Sequence, residues 1–243
     1  MDTVNFGQAL PNDRYKSSLE APSRPLPSLD HIKDAISALR NNPRSVTLDT
    51  LEDVMTLRYL PEHLGVLTGP IIPSCIAILE QAGKYGKILD HKAGVLALQV
   101  LCFSFAAAFL VRNNYLDDFL ESLDNERAQG YLPPFRCDLS IHIVAFLSQI
   151  MENIIKRGNQ ELSYGLAAAH DLLGWIKDSN DSSICLSELG GFDEHHALFL
   201  SEVLWAQRDS TMLMFRDVFL PGWSLVMHAL WKHAVFLGGP RVM

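Results

Sequence analysis

The chain has 243 residues, 48% of them hydrophobic, and its 28 acidic residues against 20 basic ones leave a formal net charge of -8. A chain of this length buries most of its apolar surface without disulfides or metals, so its size imposes no staple. No segment gathers the Lys/Arg cluster that phosphate neutralisation requires, which argues against nucleic acid as a partner.

Residues 1–27 carry Pro11, Pro22, Pro25 and Pro27 among scattered charges and lack the apolar stretch of a secretory signal, which predicts a flexible, retained N-terminal arm. Its Pro22-Ser23-Arg24-Pro25 string reads as a plain linker or as an extended ligand for SH3-type domains. Leu29, Ile32, Ile36 and Leu39 then recur at helical spacing, with Ser28 as N-cap and Asn41-Asn42-Pro43 as the stop. Leu51, Val54 and Met55 repeat the pattern as far as Leu60, started by Thr47 or Thr50 and ended by Pro61. Gly65, Gly69 and Pro70 break the next stretch, and a further helix is expected from about Pro73 to Ala82.

From Ala93 to Val111 the chain is uncharged and apolar on every side of a helix, so lipid or other helices must surround it. At about 1.5 Å per residue the run is roughly 28 Å long, close to the hydrocarbon thickness of a bilayer. Gln99, Ser104, Gly94 and five alanines leave insertion into lipid marginal. The amphipathic helices on either side, by contrast, need an apolar partner to cover. A buried core helix is therefore expected, with a membrane span over 93–111 as the alternative.

Leu116, Phe119, Leu120 and Leu123 make an apolar face opposite Asp117, Asp118, Glu121 and Asp124, and Gly130 to Pro134 interrupts the pattern. Helices are expected from about Leu139 to Lys156 and from Glu161 to Lys177, then a loop from Asp178 to Ser187 by composition. Asp193 should cap a helix carrying Leu198, Phe199, Val203 and Leu204, followed by Met212 to Leu220 and Trp223 to Leu237. No segment of useful length alternates with period two. The prediction is an all-α fold of about nine or ten helices, an irregular α-solenoid or a multi-helix bundle, forming one domain over 28–237 with a tail at 238–243.

No constellation of residues commits to chemistry. Asp193-Glu194-His195-His196 lacks the HExxH spacing, and adjacent histidines diverge by about 100° on a helix, so capping and dipole roles explain the group without zinc. His142, His170, His228 and His233 read as structural histidines, and Gly222-Trp223-Ser224-Leu225-Val226 lacks the second glycine of a hydrolase elbow. Gly190-Gly191 and Gly238-Gly239 read as helix stops rather than phosphate cradles. Cys75, Cys102, Cys137 and Cys185 form no CxxC pair, which predicts free thiols in a reducing, intracellular and cytoplasmic setting. No catalytic, metal or cofactor residue is assigned.

The stretch Lys92-Ala93-Gly94-Val95-Leu96-Ala97-Leu98-Gln99-Val100-Leu101, followed by the turn at Asn113-Asn114, resembles the inner helix of armadillo or HEAT-type repeats over about thirty residues. The resemblance implies a right-handed stack of helices that binds proteins. Two surfaces are candidates for such binding, with self-association as the other outcome. The first is the acidic strip Asp117, Asp118, Glu121 and Asp124, which also reads as a solvated helix face. The second is the apolar carboxyl end, where Trp223, Leu230, Trp231 and Phe236 are expected on a buried or partner-covered surface. A non-catalytic scaffold or adaptor is the expected role, with a helical enzyme or a membrane-associated protein as alternatives.

Overall fold

The computed structural model describes residues 25–67, 71–83, 87–161, 194–207, 209, 221–223, 225–227 and 230. Among them there is no strand, and the fold is all-helical as expected. The α-helices are α1 (Leu29–Asn41), α2 (Leu48–Met55), α3 (Ile71–Gly83), α4 (Lys92–Arg112), α5 (Tyr115–Ala128), α6 (Ser140–Glu161) and α7 (Glu194–Ala206). Short 3-10 turns at Pro43–Ser45, Thr56–Tyr59, Pro61–Leu67 and Ile88–Asp90 join the early ones.

The first two helices start where local side-chain chemistry satisfies their orphan amides. The Ser28 hydroxyl oxygen accepts the His31 N–H at 3.2 Å, and Thr47, rather than Thr50, caps α2 by accepting the Thr50 N–H at 3.2 Å. Ile32, Ala35, Ile36 and Leu39 form the buried face of α1. Helix α2 stops at Met55 instead of running to Leu60, and the chain tightens into a 3-10 turn. The physical reason is Pro61: its ring disfavours α geometry at Leu60, which sits at φ -134, and crowds the carbonyl four residues back. Helix α3 begins at Ile71, two residues before the expected Pro73. Pro73 is then the third helical residue, in the first turn, where its missing N–H has no intrahelical acceptor to lose.

Contacts between helices set out two layers. Helix α3 lies between α1 and α7 in one, and α2 packs on α4 in the other, while α1 pairs with α2 and α3 with α4 across them. Sixteen of the 21 residues of α4 are buried, and α5 covers its far end. It is the one described helix long and apolar enough to cross a membrane, yet 83% of its most apolar window is buried inside the fold. Its polar member Ser104 is satisfied by donating to the Val100 carbonyl at 2.8 Å. Lys92 pairs with Glu52 of α2, and the Arg40 guanidinium at the end of α1 donates to the Val66 carbonyl at 3.1 Å.

Two glycine contacts let other segments reach the α4 backbone. A Cβ on Gly94 would fall 2.1 Å from the Ile88 carbonyl oxygen, so the turn before α4 lies directly on it. Gly222, at φ +79, is pressed against the middle of α4: a Cβ there would fall 2.1 Å from the Cys102 carbonyl oxygen and 2.8 Å from the Ala106 nitrogen. Leu225, Val226 and Leu230, just beyond it, are buried in the same core that begins at Ile32. Gly222 thus lies directly on the α4 backbone, and Leu225, Val226 and Leu230 add to the core around it.

Helix α5 follows the turn at Asn114, which adopts the left-handed conformation at φ 57, after the Asn113 side chain donates to the Phe109 carbonyl at 2.9 Å. Phe119 of α5 meets Phe146 of α6 with ring centroids 5.2 Å apart. Helix α6 runs from Ser140 to Glu161, five residues beyond the expected end at Lys156. The helix expected as far as Lys177, the loop at 178–187, the cap at Asp193, and the helix at 212–220 lie outside the described residues, as do the arm up to residue 24 and the tail.

Candidate interaction surfaces

Both surfaces singled out from the sequence are accounted for by the fold to different degrees. Asp117, Asp118, Glu121 and Asp124 are all exposed, on the side of α5 opposite buried Phe119 and Leu123. Asp117 and Asp118 occupy the first turn, where the helix dipole favours negative charge, and Asp124 pairs with Arg127 at 3.1 Å. The row therefore has a structural explanation along most of its length. At the carboxyl end, Leu230 is 6% exposed and belongs to the core, while Trp223 packs partly buried against it. Trp231 and Phe236 lie outside the described residues.

Three of the described histidines sit in carboxylate pairs that bridge helices. His31 of α1 lies 2.9 Å from Asp53 of α2, His142 of α6 lies 3.0 Å from Glu126 of α5, and His195 of α7 lies 3.6 Å from Glu80 of α3. The His195 and His196 ring centroids are 6.0 Å apart with planes at 57°, as expected for adjacent helical positions. Among the described residues no group of three or more His, Cys, Asp or Glu side chains converges to hold a metal ion. Burial pushes the Cys75 and Cys102 thiols well above the ordinary thiol range, so both are protonated and poorly nucleophilic. Cys137 is shifted in the same direction, again chiefly by burial.

The pattern of the chain shows Gly130 to Pro134 only as an interruption between helices, yet the structure places an exposed aromatic turn there. In the turn between α5 and α6, Tyr131 is 76% and Phe135 52% exposed, and Ile141 at the start of α6 adds a third large apolar side chain facing water. These residues are exposed although the backbone beneath them is fastened at both ends. The Glu126 carbonyl accepts the Tyr131 and Leu132 N–H groups at 2.9 and 3.3 Å, and the side chain of Leu132 is buried. At the other end Cys137, Asp138 and Leu139 are buried. The Leu139 N–H donates to the Arg58 carbonyl at 3.1 Å, and Asp138 lies 3.4 Å from the Arg58 guanidinium while accepting the Ser140 N–H at 2.9 Å. Glu126 ties the two ends together, since its carboxylate also holds His142. Two aromatic rings four residues apart across a double proline were the available signal, because fixed backbone angles at Pro133 and Pro134 prevent the segment from continuing either helix.

Further large apolar side chains face water at Leu198 and Trp205 on α7 and at Met227. Comparison with protein-family models, with curated proteins and with solved structures finds no match to this chain.

Proposed function

We propose that this protein is a non-catalytic helical scaffold that works by binding another protein, and that the turn from Tyr131 to Arg136 is the first place the partner meets. The observation that carries this reading is the combination of exposure and anchoring at that turn. A loop that leaves Tyr131 76% and Phe135 52% exposed forgoes a large part of the roughly 1.5 to 3 kcal/mol that full burial of such a side chain contributes. Because the backbone is already held by Glu126, Arg58 and Asp138, little conformational entropy remains to be lost on association. Tyrosine and arginine are also residue types that dominate binding energy at protein interfaces, and Arg136, next to Phe135 in sequence, has a 57% exposed side chain whose guanidinium lies 3.8 Å from Glu62. The area is small, so the complex it supports is transient unless further surface joins in.

The layering supports an armadillo-like or HEAT-like reading, since α1 stacks on α3 and α2 on α4 as successive helix pairs do in such stacks. The contact of α7 with α3, two helices far apart in sequence, makes the stack irregular. A water-soluble, intracellular body accords with α4 being wrapped by its own neighbours and with free, buried Cys75, Cys102 and Cys137.

The test is site-specific photo-crosslinking in cells that express the protein. A benzophenone side chain replacing Phe135 should form defined protein adducts that disappear in the Tyr131→Ser background, while the same probe replacing exposed Lys33 on α1 forms none of them. Identical adduct patterns at the two positions, or none at position 135, would overturn the proposal.

A further inference from the structure

We draw no further inference here: the strongest candidate, the anchored aromatic turn between α5 and α6, belongs to the surface already described, and nothing in the structure shows what covers it.

Discussion

Replacing Gly222 by alanine isolates its contact with the backbone of α4. Two costs are superposed at this position. The backbone sits at φ +79, and an L-residue there costs about 1 to 2 kcal/mol from crowding with its own carbonyl. The added Cβ would also lie 2.1 Å from the Cys102 carbonyl oxygen, so the segment must retreat by more than about 1 Å to restore van der Waals distance. That retreat loosens Leu225, Val226 and Leu230, each contributing roughly 1.5 to 3 kcal/mol when fully buried. A total destabilisation of at least about 3 kcal/mol follows, or a fall of some 6 to 12 °C in Tm for a chain of this size. Two other glycines separate the terms. Gly130 has φ +78 with nothing within 4 Å of a Cβ, so its alanine variant carries the backbone cost alone. Gly65 has neither positive φ nor a neighbour within 4 Å, so its variant should stay within about 0.5 kcal/mol of the parent. Urea denaturation followed by circular dichroism measures all three. If Gly222→Ala costs no more than Gly130→Ala, the segment after residue 220 does not lie on α4.

The buried thiols set a pH dependence. Because burial raises the Cys75 and Cys102 thiols above their unfolded values, the folded state keeps protons that the unfolded state releases, so stability falls as pH rises through the unfolded thiol range near about 8.5. The slope above that range should be up to about 1.4 kcal/mol per pH unit for each thiol, and the Cys75→Ala, Cys102→Ala double variant should lose it between pH 8 and 10; equal slopes in parent and variant would contradict the assignment. At the start of α1, Ser28→Ala removes the acceptor for the His31 N–H and should cost about 1 kcal/mol, measured by the same denaturation, with Ser28→Asp restoring most of it. Failure of the aspartate to rescue would mean that the hydroxyl acts otherwise than as a cap.

What could be read in the chain beforehand follows from the range over which each determinant acts. The cap at Ser28, the start of α2 to within Thr47 or Thr50, and the apolar stripe of α1 are set within one or two helical turns of the residues they organise, and they are legible. The identity of Ala93 to Val111 as the most buried helix was legible too, because an all-apolar surface at such a length admits few surroundings. Which elements surround it was not: Gly222 and Cys102 stand far apart in sequence, and nothing in the string around Gly222 announces its contact with a helix backbone. The end of α2 and the start of α3 were misplaced because the demands of Pro61 act on preceding residues, and Pro73 is compatible with a first turn as well as with a break. The aromatic turn was missed for a related reason. Its anchors, Arg58 and Asp138, lie on segments separated by α3, α4 and α5, so the sequence displays its composition without the ties that keep Tyr131 and Phe135 in water. The acidic row on α5 was legible as a face, and its first two members find their use in the helix itself.

The longest apolar helix is covered by the protein's own helices, and hydrogen exchange in detergent-free buffer tests this most directly. The amides from Val100 to Leu110 should exchange more slowly than those of exposed α5, through opening as costly as global unfolding, and added phosphatidylcholine vesicles should leave their rates unchanged. Fast exchange of those amides in buffer, with protection gained only when vesicles or detergent are supplied, would contradict the account.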